Sequence, residues 1–397
     1  MQARQIVESV HWVGAIDWDR RLFDELIPLP DGTSYNAYLV QGRDKTVLID
    51  AVDPPFADGL LARLAHAGVT KIDYIVSHHA EQDHSGAIPQ VLAAFPMATV
   101  LATEKAKGML QDLLDIPAER IEAVAHGARR DLGGLTLEFI HFPWVHWPET
   151  MLTWLPERKL LFSCDLFGSH LATSDLFAAE DPAVMLGAKR YYAEIMMPFK
   201  AIITKNFSRV TDLEPAIIAP SHGPVWDQPQ RIIEAYRTWM LAPPENLVLI
   251  PYVSMHESTR LMVNHLVEAC IARGLRVEQF NLSEPDIGKL AMLLVDAATI
   301  VVGSPVVLTG AHPKAAYAAM LANALRPKAR YLSVIGSFGW GGKMVEQLAG
   351  LVSNLKVEIL DPVLCKGVPK AETMAALDAL ADSIAAKHAT LGTAIDA

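Results

Sequence analysis

The sequence predicts two folded units of different class: an α+β layered sandwich over residues 1–244, then a doubly wound α/β unit over residues 245–397. Three observations predict this. The chain has 397 residues, more than one compact domain usually holds. The run Ala242-Pro243-Pro244-Glu245-Asn246 interrupts it, and paired prolines disfavour continuing the helix expected over 228–239. The hydrophobic pattern also changes there, from grouped short strands to a regular strand–helix alternation.

Composition narrows the class. A content of 51% hydrophobic and 20% charged residues suits a water-soluble protein with large cores. The longest apolar run, 290–302, is broken by Asp296 and is too short to span a bilayer. The start, Met1-Gln-Ala-Arg, lacks the apolar centre of a secretory signal, so a cytoplasmic enzyme with no membrane partner is expected. Cys164, Cys270 and Cys365 form no C-x-x-C pair, which argues against a disulfide scaffold, an iron–sulfur cluster or a rubredoxin-type site. A formal charge of −11 and the lack of a basic stripe argue against nucleic acid as a partner.

In the first unit, strand-like runs occur at 37–40, 46–49, 74–76, 99–101, 135–140 and 159–162, with helices expected over 59–66 and 104–115. Hairpin-scale spacing with helices between groups is the mark of an α+β layout. In the second unit, strands at 247–251, 276–280, 299–303, 331–336 and 357–360 alternate with helices at 258–272, 287–295, 312–325, 344–353 and 371–387. Five apolar strands separated by amphipathic helices describe a doubly wound parallel sheet.

The sharpest chemical signal is Ser77-His78-His79-Ala80-Glu81-Gln82-Asp83-His84-Ser85-Gly86. It follows an apolar strand and precedes a helix. In an extended loop His79, Glu81 and Asp83 alternate toward one side, with His84 at the helix entry. Ligand-type side chains packed together are costly to leave unpaired, and a divalent cation resolves that cost. Three more candidates stand at strand ends or turns: His146, Asp165 and His222. Four histidines and three carboxylates suffice for two metals with a bridging carboxylate, since paired ions sit roughly 3.5–4 Å apart. Exchanging imidazoles for carboxylates shifts preference from zinc toward iron or manganese. Glu81 stands where a zinc hydrolase of pattern H-x-H-x-D-H carries histidine. His78 points away from the cluster, and His141, His170 and His256 are expected to be structural or supporting. Asp50 and Asp53, at another strand end, are expected to support a histidine or to form a turn.

In the second unit, Ser254-Met255-His256-Glu257-Ser258-Thr259 joins the first strand to its helix. Hydroxyls beside helix N-terminal amides make a cradle for one phosphate group. Neither G-x-G-x-x-G nor a P-loop lysine is present, so a dinucleotide or nucleoside triphosphate is not indicated. The loops Gly303-Ser304-Pro305-Val306-Val307-Leu308-Thr309-Gly310 and Gly336-Ser337-Phe338-Gly339-Trp340-Gly341-Gly342 follow the third and fourth strands. They meet the first loop at the switch point of the sheet, where FMN binds in such folds. Phe338 or Trp340 can flank the flavin ring.

These motifs resemble those of the flavodiiron proteins, or A-type flavoproteins. The resemblance rests on H-x-E-x-D-H at His79–His84, on His146-Trp147-Pro148-Glu149-Thr150, on Phe162-Ser163-Cys164-Asp165-Leu166-Phe167-Gly168 and on Ser221-His222-Gly223. The Gly303-Ser304-Pro305 and Gly339-Trp340-Gly341-Gly342 loops resemble the family's FMN motifs. The match runs over essentially the whole chain. It implies a metallo-β-lactamase-like αββα sandwich followed by a flavodoxin-like domain, of the minimal class without an appended rubredoxin module. It also implies a non-haem di-iron centre, with His79, Glu81, His146 and Asp165 on one iron, Asp83, His84, Asp165 and His222 on the other, and Asp165 bridging. The implied reactions are reduction of dioxygen to water, of nitric oxide to nitrous oxide, or both. The implied electron donors are rubredoxin or a reduced deazaflavin coenzyme. The family's head-to-tail arrangement implies a homodimer or a dimer of dimers, which joins flavin and irons across subunits. One departure concerns Glu257 and His256, where members often carry glycine and tryptophan. The rival reading of the residues is a dinuclear zinc hydrolase with a flavodoxin-like regulatory domain.

Overall fold

The structure is a computed structural model. It describes residues 1–284 and 286–391, so the expected limit of the second unit at 397 lies outside the described residues. Contacts divide the chain into two compact units, Met1–Thr238 and Trp239–Ala397.

The first unit contains two large sheets. One has seven strands in the order Arg4–Val7, Val10–Trp12, Tyr38–Gln41, Thr46–Ile49, Tyr74–Val76, Thr99–Ala102, Ile121–Ala123. Its last four strands are parallel. The other has five, in the order Arg129–Asp131, Thr136–His141, Met151–Leu155, Leu160–Phe162, Ile217–Ala219, the last two parallel. Successive strand side chains point to opposite faces, and the two faces of the first sheet are both buried. Val47, Ile49, Val76 and Leu101 pack with Leu137, Phe139, Met151 and Phe162 of the facing sheet. Leu48, Ile75 and Val100 pack instead with Leu60, Leu64, Val91 and Leu110 of the helices Ala57–His66, Ile88–Ala94 and Glu104–Leu114. Leu152, Trp154 and Leu161, on the far face of the second sheet, are buried as well, which requires a second covering layer and completes an αββα sandwich.

This arrangement positions the candidate residues. The strands Thr46–Ile49, Tyr74–Val76, Leu160–Phe162 and Ile217–Ala219 lead at their carboxyl ends into Asp50, His79, Asp165 and His222 respectively. The N-terminal strands, among them Thr33–Tyr35 paired with Ala15–Asp17, carry no alternation long enough to read from sequence.

The second unit has five parallel strands in the order Arg276–Asn281, Glu245–Tyr252, Ala297–Val307, Tyr331–Phe338, Glu358–Ile359. By chain order this is 2-1-3-4-5, the flavodoxin-like winding. The helices Ser258–Ala272, Ile287–Leu294, Pro313–Leu325, Met344–Leu351 and Ala371–His388 follow the strands in turn. Two details differ from the sequence reading. The last edge is split: Val363–Lys366 resumes the parallel pairing with Ile335–Phe338 after Pro362 interrupts it, because proline cannot donate to the ladder. The third strand also runs on to Val307 and folds back on Gly310–Ala311. Its two-residue turn is Leu308-Thr309, with φ of 49° and 67°, a left-handed pair usually signalled by Asn-Gly. Ser304, Pro305 and Val306 are therefore strand residues and not loop.

Candidate metal centre and cofactor cavity

Four segments of the first unit bring the seven expected side chains to one buried place. After Tyr74–Val76 the chain stays extended through His79 and Glu81, then turns helical at Gln82–Ser85. The expected alternation therefore stops short of Asp83. The helical turn swings Asp83 and His84 into a second cluster, apart from His79 and Glu81. Cys164 takes a left-handed φ of 52° ahead of Asp165. Behind His222 the backbone closes so tightly that a Cβ on Gly223 would lie 2.0 Å from Ser169 Oγ.

The first cluster is His79, Glu81, His146 and Asp165. His146 Nε2 lies 2.8 Å from Asp165 Oδ2 and 3.0 Å from Glu81 Oε2. His79 Nε2 lies 3.4 Å and 3.3 Å from the same two oxygens. The second cluster is Asp83, His84 and His222. Asp83 Oδ2 lies 3.2 Å from His84 Nε2 and 3.3 Å from His222 Nε2, and the two Nε2 atoms are 2.9 Å apart. The other oxygen of Asp165, Oδ1, lies 3.5 Å from His84 Nε2. One carboxylate thus addresses both clusters, an oxygen to each.

Orphaned atoms test whether metal ions fit here. His79 Nε2, both Asp83 oxygens and Asp165 Oδ1 are buried without a hydrogen bond. Buried polar atoms without partners are rare and costly, and all four of these belong to the two clusters. The protonation pattern agrees. Burial pushes the His79 ring down, but Cys164 and Asp165 outweigh it and hold the ring well above 6.5. Burial likewise lowers His146, yet its bonds to Asp165 and Glu81 lift it to about 9. Burial raises Asp165, and His79 and His146 then pull it well below 3.8. Glu81 is lowered in the same way by His146 and His79. His84 is raised, as Asp83 outweighs its burial, while His222 is lowered by burial and by His84. Cations bound at the two clusters would compete with protons for these imidazoles.

Surrounding groups fix the imidazoles. His222 Nδ1 donates to the Ser34 carbonyl at 2.7 Å, which leaves Nε2 as the ligand nitrogen. His79 Nδ1 faces Cys164 Sγ at 3.4 Å. His78 is outside the clusters, as expected; Asp50 Oδ2 holds its Nδ1 at 2.6 Å and Thr153 Oγ1 its Nε2 at 2.9 Å. Asp50 therefore supports a histidine, whereas Asp53 faces Arg20 at 3.7 Å. His170 packs beside His222 with ring centroids 4.9 Å apart, its Nδ1 at 2.9 Å from Thr33 Oγ1. His141 Nε2 donates to the Val124 carbonyl, away from the clusters. Thr33, Ser34 and Cys164 escape sequence reasoning, because a backbone carbonyl and a lone thiol carry no motif.

In the second unit a cavity of about 300 Å³ opens at the carboxyl ends of the strands. Ser254, Met255, His256, Ser258 and Thr259 line it from beyond the first strand, Pro305 and Val306 from the extended third strand, and Ser337, Phe338, Gly339 and Trp340 from the end of the fourth strand and just beyond. Gly367 joins them unforeseen. Thr259 and Ser337 hydroxyls meet at 3.1 Å, so the cradle draws on two strands. Leu308 and Gly342 line a separate, wider cavity of about 740 Å³; Gly341 lines neither. Ser304 is turned inward, where its Oγ donates to the Pro305 carbonyl. Glu257 adopts a left-handed φ of 69°, the conformation that suits glycine, and its carboxylate is ion-paired with Arg260.

An αββα sandwich bearing two ligand clusters that share one carboxylate belongs to the dinuclear, metallo-β-lactamase-like class. Residues 33–223 match the domain family described as ODP family beta lactamase. A nitric oxide reductase from Moorella thermoacetica is 36% identical over 394 residues, covering 97% of this chain and 98% of that protein. The structure of rubredoxin oxygen:oxidoreductase from Desulfovibrio gigas superposes with a TM-score of 0.94 at 30% identity, covering 99% of this chain and 100% of that one. The flavodiiron protein from Giardia intestinalis gives a TM-score of 0.91 at 27% identity, covering 98% of each chain. The chain belongs to the flavodiiron protein family.

Proposed function

We propose that this protein is a flavodiiron reductase that takes dioxygen to water, nitric oxide to nitrous oxide, or both, at a non-haem di-iron centre supplied with electrons through FMN. The observation that carries the reading is the Asp165 carboxylate, with Oδ2 beside His79 and His146 and Oδ1 beside His84. His79, Glu81, His146 and Asp165 would hold one iron, and Asp83, His84, Asp165 and His222 the other. Bound irons would supply redox chemistry at the substrate, and bound FMN the relay of electrons to them. The chain's own residues do the rest. Ser34 and Cys164 orient the rings of His222 and His79. Burial of His79, Asp83, His84, Asp165 and His222 excludes bulk water. His146, the more open imidazole with a side chain 15% exposed, lies on the solvent side of the first cluster.

The FMN phosphate would sit among Ser254, Ser258 and Thr259 at the N-terminus of Ser258–Ala272, and Phe338 and Trp340 would flank the ring. On this reading residues 1–244 form the di-iron domain and residues 245–397 the FMN domain. The working form is a head-to-tail homodimer or a dimer of dimers; Leu308 and Trp340, 88% and 69% exposed at the mouth of the second unit, support a covering partner. Rubredoxin or a reduced deazaflavin coenzyme is the donor in a cytoplasmic setting. None of the described helices is long and apolar enough to cross a membrane.

Metal and flavin analysis joined to anaerobic turnover tests the reading. Two irons and one FMN per chain, with consumption of dioxygen or nitric oxide under a reduced donor, is the expected outcome. Zinc without iron, and no reduction of either gas, would revive the hydrolase reading. That reading is disfavoured by Glu81, which stands inside the first cluster where such enzymes use histidine.

A further inference from the structure

The segment between two first-cluster side chains is held from both sides by groups outside the cluster. Ala80 lies between His79 and Glu81 and is fully buried. Its N–H donates to Glu149 Oε1 at 2.9 Å, and its carbonyl accepts from Ser85 Oγ at 2.9 Å. Glu149 is itself buried, 2% exposed, and its Oε2 has no hydrogen bond. It stands three residues beyond His146. Its own carbonyl accepts from Thr103 Oγ1 at 3.1 Å, and the same hydroxyl caps the helix Glu104–Leu114 through Ala106 N–H. One bond therefore ties the segment carrying His146 to the segment carrying His79 and Glu81, with a capped helix as its anchor.

We infer that Glu149 is a positioning residue for the first metal position. A buried carboxylate with a single hydrogen bond is a poor stabiliser of the fold, so its retention here is better matched to geometry at the clusters. The Glu149–Ala80 bond sets the separation of three of the four first-cluster side chains. It touches none of Asp83, His84 and His222, whose places come from the Gln82–Ser85 turn and the Ile217–Ala219 strand end. Loss of the bond should loosen one metal position and spare the other. The inference rests on the proposed di-iron reading, which places one ion in each cluster.

The test uses full-length protein loaded with 57Fe, with Glu149→Ala and Glu149→Gln beside the parent. Iron per chain is measured after dialysis against a mild chelator, together with the Mössbauer spectrum. Glu149→Ala is expected to hold its first iron roughly tenfold or more weakly, so iron falls from two toward one per chain and one of two quadrupole doublets changes. Glu149→Gln keeps the acceptor and should retain both irons and both doublets. Thr103→Val releases the Glu149 carbonyl and should shift the same doublet; it decides the matter if Glu149→Ala yields no folded protein. Two irons and two unchanged doublets in Glu149→Ala would overturn the inference, as would a Glu149→Gln protein as depleted as the alanine variant. A parent protein that binds no iron pair would instead refute the di-iron reading itself.

Discussion

The two candidate sites are built on opposite principles. In the first unit recognition lies in side-chain identity: seven histidines and carboxylates converge on a buried place, several of their atoms lack any hydrogen bond, and one carboxylate serves both clusters. In the second unit recognition lies in backbone conformation: hydroxyls, a helix N-terminus and left-handed turns surround an open cavity, with Trp340 largely exposed. In the buried site each charge balances another's, so losing one group should leave its partners uncompensated. The open site spreads its lining over many weakly interacting groups.

The largest expected effect breaks this contrast at its strongest point. Asp165→Ala removes an oxygen from each cluster, so iron per chain should fall from two to below one, and turnover should drop by at least about a hundredfold. FMN per chain should stay at one. Elemental analysis with flavin absorbance reads both; parallel loss of flavin would show that the two sites are not independent.

The contrast also explains what was legible in the sequence. Four of the seven clustered residues were readable because a carboxylate-rich H-x-E-x-D-H run after a strand has few other physical uses, and His146, Asp165 and His222 because each stands at a strand end or turn. The supports were not. Ser34 acts through its carbonyl and Cys164 through a contact 85 positions away in sequence, and neither leaves a spacing. The doubly wound order followed from regular alternation, but the Leu308-Thr309 turn did not, since neither residue signals a left-handed conformation. Glu257 stands where the resemblance implies glycine, and its φ of 69° is a conformation that suits glycine.

Smaller effects sharpen the account of the open site. Trp340→Ala should weaken FMN binding by about three- to tenfold, the range of one aromatic contact, measured by flavin fluorescence on titrating apoprotein. Trp340→Phe should recover most of it. An acid effect is also expected in this unit. Burial pushes His388 down to about 4, and it sits between Thr299 Oγ1 at 2.7 Å and Asn246 Oδ1 at 2.8 Å. Between pH 6.5 and about 4 the unfolded chain binds a proton that the folded chain does not, so stability falls as pH drops through that window. The expected loss is roughly 2 kcal/mol. Thermal unfolding of the parent and His388→Gln at several pH values checks this, the variant losing the extra slope.

The smallest expected effect is at Glu257. Its replacement by glycine relieves the left-handed backbone and removes a negative charge beside the phosphate cradle. Stability should rise by about 1 kcal/mol or less, and FMN affinity about twofold to fivefold at low salt. Glu257→Gln, which keeps the strain, should improve affinity alone.

The shared carboxylate is the centre of the account, and magnetism reads it most directly. If Asp165 gives one oxygen to each of two irons, the pair should couple antiferromagnetically, so the fully oxidised, 57Fe-loaded protein should show a diamagnetic ground state in applied-field Mössbauer spectra. Two independent high-spin ferric ions in the same protein, each with its own magnetic splitting, would contradict it.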